Sequence, residues 1–412
     1  MGANGAEGQM LQAQLVNRFE QRLRGLHLPV NVEFWNGKRV SLGEVPKLTL
    51  VLRRPAALRA LARPGLGKIG RAYVEGDIDI DCNIHDLVEF AESLCGPQQV
   101  DFGKRDNDDW KWWLHTRLFD RRAITQHYDV SNDFFALWLD QQRVYSCAYF
   151  RDANDSLDLA QQQKLDHICR KLILRPAERF LDIGCGWGAL IFRAAEKYGA
   201  RATGITLSQN QFDYVNDQIR TRNLADRCEV RLLDYRDLPE HEPFDKIASV
   251  GMFEHVGKKM LPAYFARIYR LLKPGGLVIN HGLTSTGLHS GGLSPDIADF
   301  IEHYVFPGGE IPHLSKEIEL MARENLECLD VECLRPHYVK TLWHWVERLD
   351  ARRDEARALV GEKKYRIWRI YMAGYALAFQ RGWVSVNQVL AGRPLPGGTQ
   401  STPLTREHVY CG

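Results

Sequence analysis

Short apolar runs alternate with helical patterns through the middle of this 412-residue chain. The runs predict five strands, which lie within residues 181–188, 201–208, 228–236, 244–251 and 276–281. Strands that alternate with helices at such intervals form a parallel sheet with helices on both faces. The pattern therefore predicts an α/β fold with a mostly parallel, doubly wound sheet, which binds ligands at the carboxyl ends of its strands.

A different pattern fills the first hundred residues. A helical pattern at residues 11–26 precedes apolar residues that alternate around Asn36 and Gly37, the dipeptide most typical of a two-residue hairpin turn. Further strand and helix patterns follow before residue 100. We expect a small α+β domain at 1–100, a polar linker at 101–114, a larger domain at 115–391 and a disordered tail at 392–412, because the tail is rich in Gly, Pro, Ser and Thr.

A glycine-rich turn follows the first strand of the larger domain. Asp182, Gly184, Gly186 and Gly188 form the pattern D-x-G-x-G-x-G, in which glycines let the backbone approach a ligand closely. The spacing differs from that of dinucleotide sites and is similar to that of S-adenosylmethionine-dependent methyltransferases, although another nucleotide or a plain tight turn also fits. The next strand lacks the usual ribose-binding acidic residue, so we expect hydroxyl and amide side chains at 206–211 to replace it.

Composition limits the classes of function that remain. The formal net charge of +2 argues against nucleic-acid binding through a strong basic field. The nine cysteines form no C-x-x-C pair, so we expect no structural zinc or other metal, and reduced thiols in the cytoplasm. No apolar run is long enough to cross a bilayer, so we expect any membrane contact to be peripheral.

An aromatic and basic segment at residues 110–122 follows the start of the linker. It combines three tryptophans with several arginines. Such side chains suit the boundary between water and lipid headgroups. They suit equally well a helix whose aromatic residues pack between two domains, and the sequence favours neither interpretation.

Several motifs occur in a specific order between residues 115 and 391. Besides the glycine-rich turn they are residues 127–135, 145–150, 251–257, 279–281, 305–309 and 336–338. In this order they closely resemble the cyclopropane-fatty-acid synthase and mycolic-acid cyclopropane synthase family. The resemblance implies a Rossmann-like class I methyltransferase as the catalytic domain, with S-adenosylmethionine as cosubstrate.

The resemblance also implies a reaction and its site. A cis double bond of an unsaturated phospholipid acyl chain takes the methyl group of S-adenosylmethionine, and loss of a proton from that methyl closes a cyclopropane ring. The proton acceptor of the family is a bound bicarbonate, whose cradle carried over by position is Cys147, Glu254, His281, Leu283 and Tyr338, with Cys147 and Leu283 contributing backbone groups. The implied cofactor contacts are Tyr145, Ser146, Asp182, Gly184, Gly186, Thr206, Leu207, Gln211 and Tyr235.

Other interpretations of these residues stay open when they are considered one by one. Glu254 also fits a helix cap, His281 a core histidine and Cys147 a small buried apolar residue. We expect Tyr304 and Phe306, in an acyl-binding insert near 283–312, to line the substrate, although ordinary core packing explains them as well.

One position departs from the family pattern. Tyr375 stands where the family has a cysteine near the active site, and its larger phenol could reshape the acyl tunnel. The alternatives are therefore an enzyme that gives a methyl-branched or methylene-bearing chain, and a catalytically impaired lipid- or cofactor-binding homologue. We expect a cytoplasmic homodimer at the inner face of the membrane, with the first domain serving dimerisation or membrane docking.

Overall fold

The computed structural model describes residues 13–96, 131–288, 294–305, 309–398 and 402–410, except residues 15, 22, 26–28, 44 and 63. The predicted linker and the aromatic segment at 110–122 lie outside the described residues, as do residues 127–130 of the motif at 127–135 and Phe306. Predictions about these residues stay predictions.

The chain divides into two compact units, each built from separated stretches of sequence. The first unit takes Met1–Val100, Leu293–Pro307 and Trp345–Leu377, and the second takes the remainder. The predicted boundary near residue 100 agrees with this division. The assignment of the whole of 115–391 to one domain differs from it, because two later stretches cluster with the N-terminal residues.

The first unit contains a four-stranded sheet. Its strands are β1 (Val30–Glu33), β2 (Arg39–Leu42), β3 (Leu48–Leu52) and β4 (Ile78–Asp81), in the order β2-β1-β3-β4. The hairpin predicted around Asn36 and Gly37 is confirmed, since β1 pairs antiparallel with β2 and Gly37 has a φ of 82°. Its connection is longer than the predicted two-residue turn.

Close backbone contact explains why a later helix belongs to the first unit. The unit contains helices Ala57–Ala62, Leu66–Val74, Ile84–Cys95 and Pro295–Tyr304. Gly67 donates its N–H to Asp296 Oδ2 at 2.9 Å, and a Cβ at Gly67 would lie 1.9 Å from the Asp296 carbonyl oxygen. Only glycine permits this approach, which joins residues 229 positions apart.

The second unit contains a seven-stranded, mostly parallel sheet. Its strands are β5 (Arg179–Ile183), β6 (Arg201–Thr206), β7 (Cys228–Leu232), β8 (Phe244–Val250), β9 (Leu272–Ser285), β10 (Glu327–Cys333) and β11 (Val384–Gly392). The order is β10-β11-β9-β8-β5-β6-β7. The five predicted strands are the parallel ones, so the predicted fold class is confirmed. The sequence did not predict β10 and β11, of which β11 is antiparallel to both neighbours.

Helices cover both faces of this sheet, and two apolar clusters pack between the layers. The helices of the second unit include Asn132–Ala136, Leu157–Lys171, Ala189–Tyr198, Gln209–Thr221, Leu261–Leu271 and Leu314–Arg323. Helices Arg335–Ala351 and Arg353–Gln380 contain residues of both units, and the second is interrupted at Gly361. Among the described residues, none of these helices is long and apolar enough to cross a membrane.

The predicted disordered tail contains ordered structure. Strand β11 extends to Gly392, and a short helix, Glu407–Tyr410, contacts helix Leu157–Lys171. Val409 is buried, and Arg151 donates to the carbonyl oxygen of Tyr410 at 3.1 Å. The prediction from composition was wrong for these residues because it gave no weight to an apolar anchor near the end of the chain.

Candidate active site

The glycine-rich turn lies between β5 and the helix that starts at Ala189. The N–H groups of Gly184 and Cys185 both donate to the carbonyl oxygen of Ile205, which fixes the turn against β6. Gly184, Gly186 and Gly188 all have positive φ, a region that favours glycine. A Cβ at Gly186 would meet nothing within 4 Å, so this glycine leaves open space above the turn.

A cavity opens over the turn at the carboxyl ends of β5 to β8. It encloses about 1000 Å³ of empty space, counting the part open to solvent, which is sufficient for a nucleoside-sized ligand. Every predicted cofactor residue lines it: Tyr145, Ser146, Asp182, Gly184, Gly186, Thr206, Leu207, Gln211 and Tyr235. The structure therefore brings together residues from two strands, β5 and β6, and from the loops and helical turns beside them.

Asp182 is the one carboxylate among the described residues that line this cavity. Its side chain is buried, and Oδ1 has no hydrogen-bond partner among the described residues. Burial raises the pKa of Asp182 to about 7, while the positive charge of Lys164 opposes that rise. A buried carboxylate oxygen without a donor is unfavourable unless a ligand supplies one.

Hydroxyl and amide groups occupy the predicted ribose position. Thr206 Oγ1 donates to Gln211 Oε1 at 2.8 Å, so the Gln211 amide nitrogen remains available as a donor. Tyr235, after the end of β7, packs its ring edge-on to Tyr264 at 5.3 Å. These contacts hold a polar edge and an aromatic wall in place on the same cavity.

Glu254 lies beside the cavity, between Met252 and His255, which line it. Its Oε1 accepts a hydrogen bond from the N–H of Leu283 at 2.6 Å, and its buried Oε2 has no partner among the described residues. Burial raises the pKa of Glu254 to about 7. Two of the five predicted cradle residues are thus in direct contact, although the Leu283 N–H is already engaged.

His281 lies on β9, two residues before Leu283. Its ring is buried, and Nδ1 lies 3.1 Å from Nε2 of Gln388 on β11. An amide nitrogen is a donor, so Nδ1 accepts and the ring proton lies on Nε2. Burial holds the pKa of His281 well below its usual range, so the ring is neutral and Nε2 is a donor.

Cys147 and Tyr338 meet through Leu334. Cys147 Sγ donates to the Leu334 carbonyl oxygen at 3.7 Å, and the Tyr338 N–H donates to the same oxygen at 3.1 Å. The Leu334 N–H in turn donates to Val386, the β11 residue paired with Leu283 on β9. Burial raises the pKa of the Cys147 thiol, which keeps it protonated and unreactive.

The structure thus places Glu254 in contact with Leu283, His281 on the same strand as Leu283, and Cys147 and the Tyr338 backbone on the carbonyl oxygen of Leu334. Their role as a cradle stays a prediction. The predicted substrate residues are placed differently. Tyr304 belongs to the first unit and donates its hydroxyl to Glu75 at 2.6 Å. Tyr375 is also in the first unit, buried with its ring 5.1 Å from that of Tyr371. Their role in substrate binding stays a prediction.

Lys164 is the cavity residue that the sequence analysis missed. It lies on helix Leu157–Lys171, lines the cavity and is buried. The sequence contained a pattern that could have identified it. Buried residues recur on one face of this helix at intervals of three or four, and Lys164 is one of them, with Leu157, Gln161 and Ile168. A fully buried lysine is rare, because its charge must be compensated inside the protein, so this residue is a candidate for a functional role.

Comparison with known proteins agrees with this geometry. The family model described as mycolic acid cyclopropane synthetase matches residues 115–389, and a domain of unknown function matches 19–94. The chain is 42% identical over 388 residues to a probable fatty acid methyltransferase of Pseudomonas putida, a match covering 94% of this chain and 98% of the relative. It is 38% identical over 273 residues to cyclopropane mycolic acid synthase 1 of Mycobacterium tuberculosis, covering 64% of this chain and 94% of that one.

A solved structure points to the same family as the sequence matches do. The crystal structure of mycolic acid cyclopropane synthase CmaA1, complexed with SAH and CTAB, has a TM-score of 0.63 at 36% identity and covers 66% of this chain and 98% of that one. The predicted resemblance and the predicted class I methyltransferase fold are both confirmed. Since the family model matches more than half of the sequence, the chain belongs to the mycolic acid cyclopropane synthetase family.

Proposed function

We propose that the protein is an S-adenosylmethionine-dependent methyltransferase that converts a cis double bond of an unsaturated phospholipid acyl chain into a cyclopropane ring. Family membership supports methyl transfer to a lipid. The observation that carries the proposal is the continuity of two sites: Tyr145 and Ser146 line the cavity, and the next residue, Cys147, belongs to the buried cradle. A cofactor cavity and a buried polar site thus share one wall.

The cavity residues fit S-adenosylmethionine. Asp182 Oδ1 would accept a hydrogen bond from the ligand amine, Thr206 and Gln211 would hold the ribose, and Tyr235 would offer an aromatic face to the adenine. The bound cosubstrate supplies an electrophilic methyl group. Two aromatic residues, Tyr145 and Trp187, line the cavity, and Phe135 packs between them with ring centroids at 5.9 and 4.9 Å. Aromatic faces stabilise developing positive charge without reacting with it.

The cradle residues fit a bound bicarbonate. Bicarbonate would supply the proton acceptor, and its one O–H can donate to Glu254 Oε2 while His281 Nε2–H donates to its oxygens. Glu254 Oε2 is buried without a partner among the described residues, and a small ligand could supply the missing hydrogen bond. With a pKa of about 7, Glu254 also carries a proton in part of the molecules, which lowers its repulsion of an anion.

Lipid chemistry tests the proposal. Purified protein is incubated with S-adenosylmethionine and vesicles of phospholipid carrying cis-unsaturated chains, and both S-adenosylhomocysteine and the acyl masses are measured. We expect each turnover to add one CH₂ to an acyl chain, giving a product that resists mild hydrogenation. Intact cofactor binding without turnover would instead indicate a catalytically impaired homologue.

A second candidate is methylation without ring closure. The Pseudomonas putida relative, whose match covers 94% of this chain, is named a probable fatty acid methyltransferase, whereas the match to cyclopropane mycolic acid synthase 1 covers 64% of it. Tyr375 in place of the family cysteine is a further difference. In that case the carbocation loses a proton without closing the ring, which leaves a methyl-branched alkene or a methylene-bearing chain, and both take up hydrogen under conditions that leave a ring intact.

A further inference from the structure

Lys164 has an ammonium group that is buried with little compensation. The side chain is fully enclosed near the middle of helix Leu157–Lys171, and its Nζ lies 3.0 Å from Ser146 Oγ. Among the described residues, this hydroxyl is the one hydrogen-bond partner of the ammonium. An ammonium has three N–H donors, so two remain for other groups.

Two buried carboxylates act on this ammonium from a distance. The electrostatic attraction of Asp140 and Asp182 favours the charged form, but burial outweighs it and lowers the pKa of Lys164 to about 8. Asp140 is already occupied, since its oxygens accept from the N–H groups of Gln142 and Val144. Asp182 is not, because its Oδ1 lacks a donor. The cavity therefore presents one ammonium and one carboxylate that are both incompletely paired.

An α-amino acid group complements such a pair. It carries an ammonium and a carboxylate on one carbon, so it offers each protein group its opposite charge at short separation. When Lys164, Asp182 and Asp140 are all ionised they carry one net negative charge, which complements the one net positive charge of S-adenosylmethionine. We infer that Lys164 Nζ binds the α-carboxylate of the methionine moiety, opposite the Asp182 carboxylate that receives its α-ammonium.

Arg143 is the other cation that lines the cavity among the described residues. Its guanidinium lies over the ring of Tyr214, 4.5 Å from the centroid, and it is only partly buried. A partly solvated cation binds a carboxylate less strongly than a buried one does. Lys164 is therefore the favoured partner, and Arg143 is the alternative that the experiment must separate from it.

Binding calorimetry without lipid tests this inference, which rests only on the cofactor part of the proposed function. The ligands are S-adenosylmethionine and its decarboxylated analogue, and the variants are Lys164→Met, which removes the ammonium, and Lys164→Gln, which keeps a donor for Ser146. We expect both variants to bind S-adenosylmethionine about 10- to 100-fold more weakly, as for a lost charge-assisted hydrogen bond. The decarboxylated analogue should bind all forms about equally.

Lys171→Met is the matched control. Lys171 is a second buried lysine of the same helix, it pairs with Glu332 at 2.5 Å, and it does not line the cavity. Its replacement should leave both ligand affinities unchanged.

Equal weakening of both ligands by Lys164→Gln would overturn the inference, as would a carboxylate-specific loss in Arg143→Met. Failure of the unaltered protein to bind S-adenosylmethionine would refute the proposed function itself, whereas normal binding without lipid methylation leaves this inference standing.

Discussion

Replacing Glu254 with glutamine separates the proposed catalytic role of this residue from its effect on stability. The glutamine Oε1 can still accept the hydrogen bond from Leu283, so the backbone contact at 2.6 Å is preserved. The unpartnered Oε2 becomes an NH₂ group, which cannot accept a proton or a hydrogen bond from bicarbonate. Loss of one well-placed electrostatic contact typically slows turnover by about 10²- to 10³-fold, and we expect that loss without a matching loss of cofactor affinity.

The same substitution should stabilise the protein at alkaline pH. Burial raises the pKa of Glu254 from 4.5 to about 7, so the folded state holds this proton more tightly than the unfolded state does. The stabilisation from the protonated form is complete below pH 4.5 and is lost as the pH rises through 7. That rise in pKa corresponds to about 3 kcal/mol. Glutamine does not titrate, so Glu254→Gln should match the unaltered protein near pH 4.5 and exceed its stability by about that amount above pH 7.

Glu317→Gln provides the control for this experiment. Glu317 is also buried with a pKa raised to about 8, and it accepts a hydrogen bond from Asn280 at 2.8 Å, but it does not line the cavity. The Glu317→Gln variant should show a similar gain in stability at high pH and retain most of its turnover. Urea unfolding between pH 4.5 and 8.5, together with release of S-adenosylhomocysteine, measures both properties. Normal turnover of Glu254→Gln, or parallel stability curves for it and the unaltered protein, would refute the reasoning.

Three further predictions concern the cofactor, the base and the membrane. Gly186→Val should abolish S-adenosylmethionine binding in calorimetry, because its side chain enters open cavity space; the φ of 55° strains a valine there, so circular dichroism must show that the variant is folded, and undiminished affinity would contradict the prediction. His281→Ala and bicarbonate-free buffer should each slow turnover severely and Tyr375→Phe only mildly, and the reverse pattern would assign the base to the phenol. If residues 110–122 contact lipid, sedimentation should show tighter binding to anionic than to neutral vesicles, with a difference that shrinks in salt; equal binding would favour interdomain packing.

Local patterns in the sequence were sufficient to predict the parallel strands and the glycine-rich turn. Each depends on a few neighbouring residues, as with Gly186, whose positive φ and open surroundings match its place in the motif. Strand β11 could not be predicted in this way. It contains Asn387 and Gln388, polar residues that are buried only because Thr284 and His281 of β9 bind them across the sheet. Such pairing depends on contacts more than a hundred residues apart, which periodicity does not record.

Several buried polar atoms lie unpartnered near this end of the sheet. Among the described residues, nine buried side-chain atoms have no hydrogen-bond partner in the structure, and three of them are Asp182 Oδ1, Glu254 Oε2 and Gln388 Oε1. Each belongs to a different segment, and all three residues line the cavity or contact a cradle residue. A buried polar atom without a partner destabilises the fold by about 1 to 3 kcal/mol, so apolar side chains would give a more stable protein. A ligand that completes the hydrogen bonds of Asp182, Glu254 and Gln388 would offset this cost, which is why these three atoms, unlike the others, support a binding site at the cavity and the cradle.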